Sequence, residues 1–407
     1  MGPLAGVRIL DLSRVLAGPW ATQLLADLGA DVIKVENPQG GDETRAWGPP
    51  YLKDSDGAET TESAYFLSTN RGKRSLAIDI TTSEGQNLIR ELASQSDVLV
   101  ENLKVGGMKR YGLAWDDLAP LNRRLIFCSV SGFGQSGPDA ARAGYDAMIQ
   151  GMGGLMSITG LPDGEPGGGP QKVGVAVADL LAGMYAVSAI LAALYERERS
   201  GVGQHIDLAL LDTQVAGLAN QALGFLVSGR SPRRRGTAHP NIVPYQAFAT
   251  ADGYLMLAIG NDRQFAAFCG LVGLSELATD PRFATNAARV DHRDLLVPQV
   301  AELLKRRETR HWLNELATAS IPCGPINDIA QAFAEPQVVH REMHLTLPHP
   351  SAGTAPGVRN PIRFSRTAIE YLRAPPLLGQ HTAELLAERL GLDEAEVQGL
   401  RQRHVVA

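Results

Sequence analysis

The sequence predicts an α/β protein whose larger part is built on a parallel β-sheet. Two strand–helix–strand patterns occur in about the first hundred residues, and later predicted strands lead into turn-rich loops. A chain of 407 residues with 44% hydrophobic and 20% charged residues is long enough for two globular domains. These observations favour a doubly wound sheet combined with a second, smaller domain.

The two strand–helix–strand units have recognisable helix starts. They consist of Val7–Leu12, Trp20–Leu28 and Asp31–Glu36, followed by Arg74–Ile80, a helix that ends near Ser94, and Asp97–Glu101. Pro19 suits the first turn of the first helix, and Thr81-x-x-Glu84 is typical of a capping box at the second. Parallel strands need such crossover connections, so the repeat predicts a parallel sheet.

Glycine-rich loops follow the later elements. A short helix, Trp115–Leu121, precedes the strand Leu125–Val130, which ends in the loop Ser131–Pro138. A second loop, Gly160–Pro170, consists mainly of glycine and proline. Doubly wound sheets bind ligands outside the carboxyl ends of their strands, so the loop after the strand is a candidate wall of a binding site.

One carboxylate, Asp179, lies at the start of a long apolar helix that runs to Tyr195. The positive end of the helix dipole and the unpaired N–H groups favour an ionised carboxylate there. Asp179 is therefore either a helix cap or a reactive group. Taken alone, this stretch favours the cap.

A composition shift follows the strand Gln204–Leu210 and the helix Leu211–Ser228. The arginine-rich Gly229–Gly236 resembles a linker, and Asp252-Gly253 is the two-residue turn of a predicted hairpin. We expect residues 1–228 to begin a large domain, residues 229–325 to form a small domain with its linkers, and residues 326–407 to return to the large domain. The remaining predicted elements are the helices Arg263–Leu271, Arg293–Lys305, Thr309–Ala319 and His381–Leu390, a boundary at Ile321–Pro325 and an extended piece at Ile362–Phe364.

Composition argues against several classes of partner. The net charge of −6 offers no basic surface for nucleic acid, although Arg230 and Arg233–Arg235 form one local cluster. No apolar run approaches the roughly 20 residues of a membrane span, and the N-terminus leads into a strand rather than a signal peptide. We expect a cytoplasmic protein that binds neither nucleic acid nor a membrane.

Motifs for metals and tightly bound cofactors are missing from the sequence. Cys128, Cys269 and Cys323 are far apart and lack metal-ligand spacing, as expected of thiols in a reducing compartment. The turn after the first strand lacks the spaced glycines of a dinucleotide site, and the chain has neither a Walker loop nor a Gly-x-Ser-x-Gly elbow. Carboxylates remain as the candidate reactive groups.

Eight motifs closely resemble the class III coenzyme A (CoA) transferases, the family of formyl-CoA and carnitine-CoA transferases. They occur in the family's order over nearly the whole chain, which makes the resemblance specific. The motifs are Val7–Pro19, Leu25–Glu36, Gly41–Arg45, Asn70–Ser75, Val100–Asn102, Ser129–Pro138, Gly144–Asp146 and Val177–Leu180.

The resemblance implies that Asp179 is the nucleophile of a CoA transfer. Its carboxylate would form a mixed anhydride with the donor acyl group, and released CoA would then form an aspartyl-CoA thioester that an acceptor acid opens. No metal or tightly bound cofactor is implied, since CoA and acyl-CoA are substrates. The implied fold is a large Rossmann-like domain built from both chain ends plus a small central α+β domain, in an interlocked homodimer.

The resemblance also implies a set of CoA contacts, carried over motif by motif. Asn37 stands where close relatives place an arginine near the adenine, and Leu16 replaces a glutamine linked to oxalate chemistry, which disfavours oxalate as the acceptor. The implied CoA-binding residues are Val15, Leu16, Ala17, Asn37, Ile78, Asp79, Ile80, Thr81, Asn102, Leu103, Lys104, Arg110, Gly144, Tyr145 and Asp146.

Two further segments, Gly236–Gln246 and Gly260–Phe265, resemble the branch that uses succinyl-CoA with glutarate and related dicarboxylates. His239, Asn241 and an arginine among Arg233–Arg235 are candidates for holding a distal carboxylate. Gly260 and Asn261 stand where the family has a glycine-rich cover over the acyl group, here with a single glycine. The alternative for His239 and Asn241 is an ordinary solvated linker.

Two other functions compete with CoA transfer. A 2-methylacyl-CoA racemase shares the fold and the CoA site but needs a histidine–aspartate pair, and Tyr145 stands in the place of that histidine. A phenol, with an ordinary pKa of about 10, is a poor base near neutral pH. A non-catalytic acyl-CoA-binding protein is the second alternative, and retention of Asp179 argues against it.

Overall fold

The computed structural model describes residues 2–407. Its strands are β1 (Arg8–Asp11), β2 (Asp31–Glu36), β3 (Tyr51–Lys53), β4 (Glu59–Ser63), β5 (Arg74–Ala77), β6 (Val98–Glu101), β7 (Ile126–Ser131), β8 (His205–Ala209), β9 (Tyr245–Ala249), β10 (Tyr254–Ala258), β11 (Cys323–Pro325), β12 (His344–His349) and β13 (Gly353–Val358). Its helices are α1 (Ala17–Asp27), α2 (Ala64–Leu67), α3 (Ser83–Ser94), α4 (Gly107–Arg110), α5 (Trp115–Leu118), α6 (Asp146–Met152), α7 (Leu155–Ile158), α8 (Val177–Ser200), α9 (Leu210–Gly217), α10 (Ala219–Ser228), α11 (Asp262–Leu271), α12 (Ser275–Thr279), α13 (Asn286–Asp291), α14 (Arg293–Leu304), α15 (Thr309–Thr318), α16 (Ile329–Ala334), α17 (Pro336–His340), α18 (Thr382–Leu390) and α19 (Glu394–Gln402).

Six parallel strands form the central sheet, in the order β5-β2-β1-β6-β7-β8. Alternate residues point to opposite faces, so Leu10 joins one apolar cluster and Ile9 the other. Residues of α3, α18 and α19 complete the first cluster, and residues of α1 and α8 complete the second. The predicted α/β class with a central parallel sheet is confirmed.

Two compact units divide the chain. The first comprises the described residues up to Leu155 together with Val173–Gly229 and Val339–Ala407, and the second comprises Met156–Lys172 and Arg230–Val338. These boundaries differ from the predicted ones, because the loop segment 156–172 belongs to the second unit and that unit extends to residue 338 rather than 325. Contacts between segments distant in sequence decide such membership, and composition does not report them.

In the first unit, helix α8 packs closely on α1. Ala182 and Ala186 are fully buried against the apolar side of α1. A Cβ on Gly183 would lie 2.8 Å from the Trp20 ring and 2.9 Å from the Ala17 carbonyl oxygen. This close approach fixes the position of the first turn of α8, which carries Asp179.

Helix α8 is also long and apolar enough to cross a membrane, so the statement that no apolar run approaches that length is wrong. An 18-residue window of the helix has a mean hydropathy of 1.9, and 44% of the window is buried. Core helices of globular proteins share this composition, and α8 contributes eight buried residues, including Ile190, to the first unit.

Some helix boundaries differ from the predicted ones. Helix α1 begins at Ala17, so Pro19 is its third residue. Thr82 rather than Thr81 caps α3, since its hydroxyl accepts the Gly85 N–H. The predicted helix at residues 211–228 is divided into α9 and α10 around Ala219, which has a φ of +45°.

The chain end completes the first unit at β5. Helix α18 packs beside this strand, and the guanidinium of Arg74 pairs with Glu384 and Glu388 of that helix. Val406 bridges to Ile78 just beyond β5. Residues 362–364 lie outside any strand, whereas the hairpins β3–β4 and β12–β13 escaped prediction.

The second unit contains the three-stranded sheet β11-β10-β9 and a helical cluster. Strands β9 and β10 form the predicted antiparallel hairpin. Its core includes Phe248, Leu255 and Phe265. The fully buried Arg289 donates to the carbonyls of Val243 and Phe283, so this buried charge is hydrogen-bonded as burial requires.

Candidate active site

The binding site begins where the strand order of the central sheet changes direction. Strand β2 lies on one side of β1 and β6 lies on the other, so the loops that follow β1 and β6 diverge and leave a crevice. Arg14, after β1, donates its backbone N–H to the Asn102 side chain at 2.8 Å, and Asn102 returns a bond to the Arg14 carbonyl at 2.6 Å. These two bonds tie the loops together across the switch point.

The loop after β1 is held in a strained conformation. Val15 has a φ of +69°, which is rare for a β-branched residue. Its N–H lies 3.2 Å from each carboxylate oxygen of Asp42. Asp42 in turn pairs with Lys34 at 2.9 Å, and neither of these side chains is exposed. The strain is therefore maintained by a buried ion pair beside the binding crevice.

The pKa of Asp42 shows how strongly its neighbours hold the carboxylate in its charged form. Burial raises this pKa, but Lys34 and the hydrogen bonds of Thr44 outweigh burial and lower it to about 2. Asp42 is thus ionised at neutral pH and accepts hydrogen bonds from the loop that contains Val15.

Two adjoining cavities occupy the crevice. The larger, of about 510 Å³, is lined by Leu12, Arg14, Lys34, Val35, Glu36, Asn37, Gln39, Gly40, Gly41, Asp42, Glu43, Ile78, Asp79, Ile80, Thr81, Leu103 and Tyr111. The smaller, of about 220 Å³, is lined by Arg14, Val15, Leu16, Ala17, Glu43, Asn102, Leu103, Lys104, Val105, Val130, Ser131, Gly132, Arg142, Ala143, Gly144, Tyr145, Asp179 and Leu210. Asp179 belongs to the smaller cavity.

Most of the predicted CoA contacts line one cavity or the other. Asn37 and residues 78–81 line the larger one, residues 15–17, 102, 104, 144 and 145 line the smaller one, and Leu103 lines both. Arg110 lines neither, but its guanidinium carbon lies 5.9 Å from the ring centroid of Tyr111, which does. Asp146 also lines neither cavity.

Asp146 is the cap of α8, and the interpretation of Asp179 as that cap is wrong. The N-cap position is Ala176, and the N–H of Ala178 donates to an Asp146 carboxylate oxygen at 2.9 Å. Gln150 donates to the other Asp146 oxygen at 2.8 Å. Within residues 2–407, no hydrogen bond or ion pair is found for the Asp179 carboxylate.

Burial and a nearby charge raise the pKa of Asp179 to about 7, with burial the larger cause and the Asp146 carboxylate the second. The expectation that the helix start keeps Asp179 ionised is therefore wrong for this state of the protein. Burial disfavours the charged carboxylate, and the negative charge of Asp146 disfavours it further.

Tyr65, in α2, lines neither cavity but is affected by the charges of the site carboxylates, which sequence reasoning missed. Burial and the charges of Asp179, Asp146 and Asp42 raise the pKa of its phenol to about 12. The hydroxyl is thus a protonated donor in the electrostatic field of these carboxylates. Trp47 packs edge-on against its ring, with 5.1 Å between centroids. Its position follows from packing, and no motif signals it.

Two glycines allow the loops beside Asp179 to touch. A Cβ on Gly144 would lie 2.5 Å from the Cα of Gly132, and a Cβ on Gly132 would lie 2.7 Å from the Cα of Gly144. Any side chain at either position forces the two backbones apart. Both glycines line the smaller cavity.

The predicted acid-binding residues lie in the second unit, where each has a local partner. The Nδ1 atom of His239 accepts the Asn241 N–H, the Asn261 side chain caps α11, and the Gly260 N–H donates to Gln264. Arg234 is held by the Ser157 and Leu161 carbonyls and the Asp163 carboxylate. Among Arg233–Arg235, Arg234 is therefore committed to anchoring a loop.

A protein-family model described as CoA-transferase family III matches residues 4–382. The chain belongs to CoA-transferase family III. Members of the family act on acyl-CoA and carboxylic acid substrates, so this CoA-transferase is an enzyme and the resemblance found in its motifs is confirmed.

Similar proteins cover almost all of this CoA-transferase. The succinate–glutarate CoA-transferase of Agrobacterium fabrum is 52% identical over 95% of both chains. The succinyl-CoA:glutarate CoA-transferase of Homo sapiens is 43% identical over 99% of this chain and 90% of its own. A crystal structure of a CaiB/BaiF family protein from Brucella suis, 49% identical, matches 95% of this chain and 99% of its own with a TM-score of 0.83.

Proposed function

We propose that this CoA-transferase moves CoA from succinyl-CoA to a five-carbon dicarboxylic acid of the glutarate type. Relatives named for succinate and glutarate, at 52% and 43% identity over nearly the whole chain, support this choice of substrates. Leu16, an apolar residue in the smaller cavity, favours an acid longer than oxalate because it supplies no hydrogen bond for a compact dianion.

The observation that carries the proposal is the state of Asp179. Two carboxylates line the smaller cavity among the described residues, and Glu43 is paired with Arg14. Asp179 has no such partner, lies partly buried, and has a pKa raised to about 7. A carboxylate of raised pKa is a stronger nucleophile once ionised than an ordinary carboxylate.

The proposed reaction consists of four acyl transfers. Ionised Asp179 attacks the thioester carbonyl of succinyl-CoA, the C–S bond breaks, and CoA leaves as a thiolate from a succinyl-aspartyl anhydride. The thiolate attacks the aspartyl carbonyl, which gives an aspartyl-CoA thioester and succinate. The acceptor carboxylate then expels CoA from this thioester, and the thiolate attacks the acceptor acyl carbon, so the product acyl-CoA forms and Asp179 is a free carboxylate again.

Negative charge develops on a carbonyl oxygen in each of these steps. We assign its stabilisation to the backbones of Gly132 and Gly144, which line the cavity with Asp179, and to the protonated phenol of Tyr65, whose pKa responds to the Asp179 charge. No step consumes a redox equivalent or leaves a proton unbalanced, because a carboxylate and a thiolate are exchanged in both halves of the reaction.

The test is CoA transfer from succinyl-CoA to a series of acids, measured by mass spectrometry. We expect glutarate to react and Asp179→Ala to lose at least about 10³-fold in rate, as loss of a covalent nucleophile does. Glu394→Ala, which removes an exposed first-turn carboxylate of α19, is the matched control and should keep full activity. Full transfer by the Asp179 variant would refute the nucleophile.

A second measurement separates the transferase from the racemase. No histidine is among the residues that line the cavity with Asp179, and Tyr145 is 69% exposed there. We expect hydroxylamine to trap Asp179 as a hydroxamate after incubation with succinyl-CoA. Deuterium exchange at C2 of a 2-methylacyl-CoA without any acid acceptor would favour the racemase instead.

We also propose that the enzyme is a homodimer. Helix α10 has no buried residue, and Leu226 and Val227 are 72% and 85% exposed. Tyr195 of α8 is 69% exposed as well. Clustered apolar side chains of this size on a monomer mark a protein interface. The family resemblance supports an interlocked arrangement, with the large domain built from both chain ends.

A further inference from the structure

Arg14 and Glu43 stand at the junction of the two cavities. Each lines both of them, as does Leu103. The guanidinium Nη1 of Arg14 lies 2.6 Å from Glu43 Oε1, and the two side chains are 46% and 47% exposed. An ion pair in this degree of contact with water contributes little net stability, so a doubly charged anion can displace one of its members.

The backbone at Arg14 is held by hydrogen bonds, whereas the Arg14 and Glu43 side chains are about half exposed. The Arg14 N–H and carbonyl are both bonded to Asn102, and the next N–H, of Val15, is bonded to Asp42. A fixed Cα with a solvated guanidinium lets Arg14 exchange partners without moving the loop.

Charge in the larger cavity makes Arg14 the cation available to a ligand. Its basic lining residues, within the described chain, are Arg14 and Lys34, and Lys34 is fully buried and donates to Asp42 and the Ser13 carbonyl. Each acidic lining residue also has a partner. Arg45 neutralises Glu36 at 2.8 Å, Lys34 pairs with Asp42, Arg14 pairs with Glu43, and Thr81 donates to Asp79. Asn37 contributes no charge.

The covalent order of CoA places its diphosphate at this junction. The diphosphate joins the adenosine part to pantetheine, whose thiol must reach Asp179 in the smaller cavity. The larger cavity then holds the nucleotide end. We propose that Arg14 binds the 5′-diphosphate of CoA by exchanging Glu43 for it, and that Glu43 competes with the ligand for the guanidinium. This inference rests on the proposed position of Asp179 as the site of acyl transfer.

Two substitutions have opposite expected effects on CoA affinity. Arg14→Gln should raise the Kd of CoA about tenfold or more, since it removes a charge-assisted hydrogen bond. Glu43→Gln should lower the Kd about threefold, because it releases Arg14 and removes a repelling charge. Titration calorimetry measures both. An unchanged Kd in Arg14→Gln, or a weaker affinity in Glu43→Gln, would overturn the proposal.

Fragments of CoA show which of its phosphates Arg14 binds. Dephospho-CoA lacks only the 3′-phosphate, so the Arg14→Gln effect on its Kd should equal that for CoA. Succinyl-pantetheine carries no phosphate, so its kcat/KM as donor should be the same in Arg14→Gln and wild type. Loss of the effect with dephospho-CoA would assign Arg14 to the 3′-phosphate, and an equal effect with succinyl-pantetheine would exclude phosphate binding; either result overturns the proposal.

Arg124 and Glu198 form a matched control pair. They are 3.2 Å apart, their side chains are 49% and 70% exposed, and they line neither cavity. Arg124→Gln and Glu198→Gln should leave the Kd of CoA unchanged. Failure of this proposal is distinguishable from failure of the proposed function, because glutarate-dependent transfer by wild type and its loss in Asp179→Ala do not depend on what Arg14 binds.

Discussion

At the scale of single residues, the position of a charge and its neighbours decides what it does. Asp179 and Asp146 are both aspartates near the start of α8, yet one caps the helix and the other has no polar partner in the described chain. The difference lies in burial and in hydrogen bonding, since the Ala178 N–H already donates to Asp146. The Asp146 charge both ties α8 to α6 and raises the pKa of Asp179.

The pH profile of the enzyme tests this pairing. Because the proposed nucleophile is the ionised form of Asp179, whose pKa is about 7, we expect kcat/KM to rise with pH through about 7 and then level off. Asp146→Asn keeps an oxygen for the Ala178 N–H but removes the charge, so it should shift the rise to lower pH. A profile that is flat from about pH 5 to 9 in the wild type would contradict the raised pKa.

The same raised pKa should make folding stability fall as pH rises, whereas activity rises with pH. The folded pKa of Asp179 is raised from 3.8 to about 7, so its contribution to stability is fully present below pH 3.8 and is lost as pH rises through 7. Asp179→Asn should therefore match wild type near pH 4 and exceed it at pH 8, by at most about 4 kcal/mol. Denaturant unfolding at the two pH values measures the difference, and equal stability at pH 8 would contradict it.

At the scale of elements, the strained loop after β1 depends on a buried ion pair that supports it. The loop after β1 carries Arg14 and Val15, and Asp42 at the start of the 3-10 helix Glu43–Ala46 holds it. Lys34 lies within β2, so the sheet itself supplies the buried cation. The geometry of the binding crevice therefore depends on strand pairing as well as on the loop.

Removing Asp42 should damage both stability and binding. Asp42→Asn leaves Lys34 buried without its nearest counter-charge and should cost about 3 kcal/mol at pH 7. The pKa of Asp42 is lowered to about 2, so this contribution is present above pH 3.8 and is lost as pH falls towards 2. Unfolding curves at pH 7 check the cost, and Asp56→Asn, at an exposed turn, is a control that should change little.

The contact between Gly132 and Gly144 is also a property of two elements, the ends of β7 and the segment before α6. Gly144→Ala should lower kcat by about 10- to 100-fold, because the added Cβ displaces the backbone beside Asp179. Gly270→Ala, where a Cβ meets nothing within 4 Å, should leave the rate unchanged. An active Gly144→Ala enzyme would show that this approach is not needed for transfer.

At the scale of the whole molecule, the exposed apolar surface of α8 and α10 calls for a partner surface. In the proposed homodimer, a second copy of the chain would cover this surface with the same residues from both sides. In that arrangement, one side of the long apolar helix α8 packs in the core, and its exposed side is available for association.

Charge on α10 should therefore disrupt assembly. Leu226→Glu combined with Val227→Glu should convert a dimer to a monomer in light scattering after size exclusion, because the two charges lose their hydration at the interface. Leu372→Glu, at a side chain that is 74% exposed elsewhere, should leave the dimer intact. A wild-type protein that is monomeric at micromolar concentration would refute the homodimer.

Local sequence patterns were enough to predict the parallel sheet and the family. Short apolar strands and crossover helices are local patterns, and Ile9 and Leu10 face opposite clusters because neighbouring strand residues must. The motifs indicate the family in the same way, because each motif is a continuous stretch of sequence and their order along the chain is fixed. Most of the CoA contacts implied by those motifs also line one crevice.

Long-range packing, in contrast, sets which groups near Asp179 have hydrogen-bond partners. Asp146 reaches Ala178 across 32 residues, and Arg14 reaches Asn102 across 88. Such contacts depend on how helices and strands pack, and no local pattern encodes the distance between two segments that are far apart in sequence. For that reason the cap of α8, the position of Tyr65 and the Arg14–Glu43 pair at the cavity junction all emerged from packing.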